Sequence, residues 1–197
     1  MSFRKEFKFR VTNNDLILIK KRLLSDTMSV LYPSRRVNSI YFDTKCLKMF
    51  TESEEGTLPR KKIRLRWYND DENKSFEEKI SALEGRFKKT KNFNLLVKKL
   101  DRLSFLDPVY GTIIPSLIIT YNRKYYSYKN LRITFDQEIE YKRVRGIVPL
   151  SKKDKECVIE IKAPHNVSTD YVSSILLNPT ERFSKYARGI ISTYQLF

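Results

Sequence analysis

The chain is short of almost everything that would build a stapled, metal-clasped or nucleotide-looped domain. Of its 197 residues only 2 are cysteine and only 1 is histidine. Cys46 and Cys157 cannot make a disulfide framework, and neither sits in a C-x-x-C zinc pattern. The expectation is a reduced, cytoplasmic protein. His165 follows Pro164 with no His or Cys beside it, so it is read as a turn residue. Glycine occurs 5 times and never as G-x-x-x-x-G-K-[ST], which excludes a P-loop phosphate cradle. Long apolar runs are also missing. The best candidate, Ile113 to Ile119, is interrupted by Pro115 and is far too short to span a bilayer. The start, Met1-Ser2-Phe3-Arg4-Lys5-Glu6, is charged at once and has no apolar signal region. Ser184 lacks a surrounding G-x-S-x-G, and the sequon Asn166-Val167-Ser168 is read as a helix cap. Negative charge is the last deficit: 23 Asp plus Glu against 39 Lys plus Arg leave +16. A surplus of that size points to an anionic partner.

What is present supports a folded chain. Hydrophobic residues make up 41% and aromatics 13%, enough for a core and too many for disorder. With no composition shift along its length, residues 1–197 are read as a single domain. Period-two alternation marks strands at Glu6 to Val11, Val37 to Asp43, Lys62 to Tyr68 and Ser75 to Ile80. It recurs at Leu117 to Tyr125, Leu131 to Phe135, Ile139 to Arg143 and Val158 to Ile161. Helices are fewer. Asn13 or Asn14 is expected to cap a helix carrying Leu16, Ile19 and Leu23. Leu96, Leu100 and Leu103 place a second over Asn92 to Leu103, and Ser168 caps a third to Leu177. A last helix is expected from Ser184 to Leu196. Asn69 to Lys74 and Ser151 to Asp154 read as polar loops. The class is α+β, with a large antiparallel sheet or barrel.

The charges have a pattern. Side chains two apart on a strand share a face, roughly 7 Å apart. Arg64 and Arg66 therefore share a face, as do Arg132, Thr134 and Asp136. Three E-x-K triplets repeat the theme: Glu6-Phe7-Lys8, Glu77-Glu78-Lys79 and Glu160-Ile161-Lys162. The simplest account is a set of solvated outer faces on a half-buried sheet. The alternative is a wet interior that holds a polyanion and a metal, where carboxylates ligate Mg²⁺ or Mn²⁺ and cations neutralise phosphate.

The ordered segments Lys5-Glu6-Phe7-Lys8-Phe9, Ser39-Ile40-Tyr41-Phe42-Asp43, Ile63-Arg64-Leu65-Arg66-Trp67-Tyr68 and Phe76-Glu77-Glu78-Lys79 form one series. It continues through Phe87-Lys88-Lys89, Tyr121-Asn122-Arg123, Leu131 to Asp136, Val158 to Lys162 and Arg182-Phe183-Ser184-Lys185-Tyr186. Over nearly the whole chain this series resembles the catalytic domain of the vacuolar transporter chaperone (VTC) polyphosphate polymerases, members of the triphosphate tunnel metalloenzymes. The resemblance implies an antiparallel β-barrel tunnel flanked by helices, with cations pointing inward. Carried over, the phosphate-binding set is Lys8, Arg64, Arg66, Lys79, Lys89, Arg123, Arg132 and Lys185, with Lys88 and Lys91 as alternative registers for Lys89. Tyr121 and Ser184 add hydroxyl contacts, Glu160 is the metal carboxylate, and Lys162 is a tunnel cation. Glu6 and Glu77 occupy the other E-x-K positions. The phosphate-sensing domain and membrane helices of large eukaryotic members have no counterpart in this sequence, and the segment from Asp136 to Val158 is short.

The implied activity is metal-dependent transfer of the ATP γ-phosphate to a growing polyphosphate chain, with Mn²⁺ or Mg²⁺ as cofactor and a separate membrane protein as a partner for the product. A tunnel-type triphosphatase is the alternative enzyme. A non-enzymatic binder of polyphosphate or nucleic acid is the third, through Arg60-Lys61-Lys62, Lys88-Lys89, Lys152-Lys153 and Lys155, with Tyr125, Tyr126 and Tyr128 for stacking. No zinc finger or RNP-like motif is present, so no specific nucleic acid is expected.

Overall fold

The computed structural model describes residues 4–93, 102–146, 150–177 and 179–194. The strands are β1 (Arg4–Val11), β2 (Ser29–Asp43), β3 (Arg60–Tyr68), β4 (Lys74–Ala82), β5 (Gly85–Phe93), β6 (Phe105–Asp107), β7 (Gly111–Tyr128), β8 (Leu131–Arg143), β9 (Ser151–Lys153) and β10 (Cys157–Pro164). The helices are α1 (Asn13–Ser25), α2 (Lys48–Glu55), α3 (Thr169–Leu176) and α4 (Lys185–Tyr194). None is long and apolar enough to cross a membrane. The chain divides into two compact units. The first comprises Met1–Arg36, Tyr121–Ile139 and Lys153–Phe183; the second comprises Val37–Thr120, Glu140–Lys152 and Ser184–Phe197. The long strands β2, β7 and β8 each contribute residues to both.

In the first unit β1, β10, β8 and β7 are neighbours in that order. β1 runs antiparallel to β10, with Lys8 opposite Glu160 and Glu6 opposite Lys162. β10 runs antiparallel to β8, with Glu160 opposite Thr134 and Lys162 opposite Arg132. The odd positions Phe7, Phe9, Ile133, Phe135, Ile159 and Ile161 form the other face and the core. α1 lays Leu16, Ile19 and Leu23 on that core, and α3 adds Val172, Ile175 and Leu176. The cap of α1 is Thr12 and not Asn13 or Asn14. Its hydroxyl accepts from the Asp15 amide at 3.1 Å while the Asp15 carboxylate accepts from the Thr12 amide at 3.3 Å, a reciprocal capping box. Ser168 caps α3 as expected, accepting from the Tyr171 amide.

The second unit carries the neighbour order β7, β2, β3, β4, β5, with β6 on β7 and β9 on β8. Its apolar face is Ile40, Phe42, Ile63, Leu65 and Ile113, joined by Met49 of α2. α2 lacks a sequence signal because its cap is remote. The Asp43 carboxylate, at the end of β2, accepts from the amides of Met49 and Phe50 at 2.9 Å each. Gly189 of α4 lets that helix approach closely: a Cβ there would meet side-chain atoms of Leu117 and Tyr141.

Several expectations change. Leu131 to Phe135 and Ile139 to Arg143 are one strand, β8, with Glu138 in the left-handed region at φ 53° marking the irregularity between them. Ser151 to Lys153 is a short strand rather than loop. The helix expected over Asn92 to Leu103 falls mostly outside the described residues, and its first two, Asn92 and Phe93, end β5. Leu196, the expected end of the last helix, also lies outside them.

Candidate functional site

Each unit has one polar sheet face, because period two sends alternate side chains to opposite sides. In the first unit that face carries Glu6 and Lys8 from β1, Glu160 and Lys162 from β10, and Arg132, Thr134 and Asp136 from β8. It is not a solvated outer face. Asp136 is 0% exposed, Thr134 2% and Glu160 7%. Buried charges must be paired, and these are. Arg123 donates from Nε and Nη2 to the two oxygens of Asp136 at 2.5 and 2.7 Å, and its Nη2 lies 3.6 Å from Glu160. Burial lowers the Arg123 pKa, but Asp136, Tyr121 and Glu160 outweigh it, so the guanidinium stays charged. Tyr121 lies beneath it, ring centroid 5.3 Å away. Lys162 Nζ sits 3.4 Å from Glu160 and 4.0 Å from Glu6. Lys8 Nζ donates to the Phe183 carbonyl at 3.1 Å and lies 3.5 Å from Glu6. Arg132 differs: its Nε is buried and has no hydrogen-bond partner among the described residues.

In the second unit the polar face is built by register. Tyr41 of β2 faces Arg64 of β3, which faces Glu77 of β4; Ser39 faces Arg66, which faces Ser75. Lys62 faces Lys79, which faces Lys88 of β5. Arg64 is 8% exposed and Glu77 5%. Arg64 donates from Nε and Nη2 to Glu77 at 2.7 and 2.5 Å and from Nη1 to the Tyr41 hydroxyl at 2.8 Å. Lys88 Nζ adds 2.7 Å to Glu77. Arg66 Nε donates to Ser39 at 3.2 Å. Lys62 Nζ donates to Ser184 Oγ at 3.0 Å, and Ser184 also accepts from the Ala187 amide at the start of α4, next to Lys185. Burial pushes Glu77 up, but Arg64, Arg66 and Lys88 hold it down at about 2. Burial likewise pushes the Tyr41 phenol up, yet Arg64, Arg66 and Lys79 pull it to about 7.

Of the residues singled out in the sequence, Lys8, Arg132, Glu160 and Lys162 share the first unit's polar face, joined by Arg123 through its ion pairs and by Tyr121 beneath it. Arg64, Arg66 and Lys79 share the second unit's. Ser184 is tied to that face through Lys62, and Lys185 follows it in the chain. Lys89 requires a correction: it pairs with Glu78 on the opposite face, and Lys88 takes the position beside Lys79 and Glu77. Alternation alone cannot separate the two, because β5 reads Arg-Phe-Lys-Lys-Thr-Lys, with cations on both faces. Asp136 and Tyr41 were missed as site members, and Lys62 entered only through the run Arg60-Lys61-Lys62 of the binder reading. Tyr41 was legible in principle, since Ser39-Ile40-Tyr41-Phe42-Asp43 alternates polar and apolar residues.

Among the described residues no group of three or more His, Cys, Asp or Glu side chains is placed to hold a metal ion. Mg²⁺ held by one or two carboxylates, phosphate oxygens and water needs less. On the first unit's polar face Glu160 and Glu6 share Lys162 as counter-ion, at 3.4 and 4.0 Å.

The VTC domain family model matches residues 3–113 and 98–194. No curated protein matches the chain in sequence. Solved structures do resemble it. A candidate adenylate cyclase from Bacillus halodurans aligns with a TM-score of 0.61 at 12% identity, over 93% of this chain and 94% of that one. The PH1012 protein from Pyrococcus horikoshii aligns at 0.59 and 13% identity, over 94% and 99%. A candidate adenylyl cyclase from Hippeastrum, described as having a dominant triphosphatase activity, aligns at 0.57 and 12% identity, over 97% of each chain. At such identities the likeness shows the fold alone: the α+β triphosphate tunnel fold, an antiparallel sheet flanked by helices.

Proposed function

The chain belongs to the VTC domain family, and on that premise we propose that it is an enzyme acting on triphosphates, and more narrowly a metal-dependent polyphosphate polymerase that uses ATP. The observation that carries this is Arg132. A buried N–H without a partner is rare in a folded protein and costly. On Arg132 that donor lies on a face shared with Lys8, Glu160 and Lys162. A phosphate oxygen supplies the missing acceptor and meets several cations at once.

Phosphoryl transfer asks for positioning and charge neutralisation more than for a protein nucleophile. A terminal oxygen of the polyphosphate chain attacks the γ-phosphorus of ATP. As that P–O bond forms, the bond to the β,γ-bridging oxygen breaks and ADP leaves with the electron pair. Arg66 and Arg132 give N–H donors to phosphate oxygens, while Arg64 and Arg123, whose forks are held by Glu77 and Asp136, add positive charge beside them. Lys8, Lys79, Lys162 and Lys185 act as point charges, and Lys88 takes the role first given to Lys89. Tyr121 and Ser184 offer hydroxyls. Glu160, with Glu6, would hold Mn²⁺ or Mg²⁺, which supplies charge neutralisation to the phosphates. On this reading the protein works in the cytoplasm, as its reduced cysteines lead one to expect, and a separate membrane protein receives the polymer.

Incubation with ATP and Mn²⁺ is expected to yield long polyphosphate and ADP. Arg132→Ala should lower the rate on the order of 10²-fold, the scale for losing one preorganised donor. An Arg132→Ala variant as fast as the wild type overturns the assignment of that residue. One observation favours a second reading: the Hippeastrum structure is described as a triphosphatase. In that case water replaces the chain end as acceptor. Orthophosphate released from tripolyphosphate, with no chain growth from ATP, decides for the hydrolase.

A further inference from the structure

Tyr41 lies on the second unit's polar face, opposite Arg64, and the proposed chemistry leaves it without a task. Its hydroxyl accepts from Arg64 Nη1 at 2.8 Å, and the same guanidinium is held by Glu77. Its ring stacks on Tyr186 of α4, with centroids 4.8 Å apart and planes 12° apart. Tyr186 in turn donates to Asp43 at 2.5 Å. The Tyr41 carbonyl accepts from Ser116 of β7 at 3.1 Å. Backbone and ring are thus fixed; the Arg64 guanidinium lies 5.6 Å from the ring centroid, and the oxygen meets its Nη1. The charged and titratable groups around it are Arg64 and Arg66 of β3, Glu77 and Lys79 of β4, Tyr186 of α4 and Asp43 of its own strand. Three of these are cations. Glu77 is committed to Arg64 and Lys88, while burial pushes Asp43 up, toward its neutral form.

We propose that Tyr41 is a proton-linked positioning residue: its oxygen serves as a phenolate counter-ion that orients Arg64, and it takes up a proton when a triphosphate binds to that arginine. The inference rests on the reading of Arg64 as a phosphate-binding residue. Arg64, Arg66 and Lys79 favour an anionic oxygen at Tyr41, whose ordinary value of 10 falls to about 7. An arriving triphosphate brings several negative charges to the same cations. Phenolate and phosphate then compete, and protonation of Tyr41 relieves the repulsion. The direction follows: raising the pH forms the phenolate, so triphosphate affinity falls as the pH rises above about 7.

The test is calorimetric titration of the full chain with tripolyphosphate at pH 8, in buffers of different ionisation enthalpy. Wild type and Tyr41→Phe are compared, since phenylalanine keeps the ring stack and loses only the oxygen. With a phenol at about 7, about 0.9 of Tyr41 is ionised at pH 8. Wild type should therefore take up on the order of 0.9 proton per ligand more than Tyr41→Phe. Between pH 7.5 and 9 its Kd should rise relative to the variant's by a factor approaching tenfold per pH unit. Equal proton uptake and parallel pH profiles overturn the proposal. Arg64→Ala, with Arg64→Lys beside it should alanine fail to fold, separates the two layers. If both variants bind tripolyphosphate as tightly as wild type, the reading of Arg64 itself falls. If they bind weakly while wild type and Tyr41→Phe behave alike, only the role of Tyr41 falls.

Discussion

Replacing Glu77 by glutamine should remove a pH-dependent part of the stability, and the structure sets its size. Glu77 is 5% exposed and accepts from Arg64 Nε at 2.7 Å, Arg64 Nη2 at 2.5 Å and Lys88 Nζ at 2.7 Å. Burial alone would raise its pKa; Arg64, Arg66 and Lys88 bring it from 4.5 to about 2. At about 1.36 kcal/mol per unit, that span corresponds to about 3 kcal/mol at most. The folded value is the depressed one. The stabilisation is therefore complete above pH 4.5 and is lost as the pH falls toward 2. At pH 3.5 the unfolded carboxylate is largely protonated and the folded one hardly at all, so about 1.4 kcal/mol is already gone. Urea unfolding followed through Trp67, the chain's 1 tryptophan and a residue of the same unit, reads this out. The gap between wild type and Glu77→Gln should be widest at pH 7 and narrow by about 1.4 kcal/mol at pH 3.5. A gap that stays constant over that range refutes the account of Glu77 as a carboxylate held ionised by its cations.

Two further stability predictions concern other parts of the fold. Asp136→Asn leaves the Arg123 guanidinium facing a neutral amide, and a broken buried pair of this kind costs about 3–5 kcal/mol; a loss under about 1 kcal/mol in a denaturant titration contradicts the pairing. Gly189→Ala places a Cβ 2.7 Å from Tyr141 Cδ1 and closer still to Leu117, so despite alanine's better helix propensity the melting temperature should fall, by the equivalent of about 1–3 kcal/mol; a stabilised variant refutes the close approach of α4.

The strands with one apolar face were legible because their signal is local. β1, β3, β4 and β10 alternate within a few residues, and the face of each side chain follows from parity alone. α2 and β5 were not legible. α2 begins after Leu47 in the left-handed region and is capped by Asp43 from outside the helix, a contact no periodicity reports. β5 is nearly all exposed and has no apolar row to count.

The site divides along the same line. The sequence by itself determined that Arg64 shares a face with Arg66, Glu160 with Lys162, and Arg132 with Thr134 and Asp136, because a strand's geometry requires it. It also determined the excess of cations, and through its ordered segments the family. Only the tertiary structure decided who faces whom. Arg64 is set against Glu77 and Tyr41, Arg123 is forked onto Asp136, the Nε of Arg132 is buried without a partner among the described residues, and Lys88 rather than Lys89 joins the polar face. Those outcomes depend on the register between strands distant in sequence, which core packing sets and in which a slip of one residue turns every side chain to the other face.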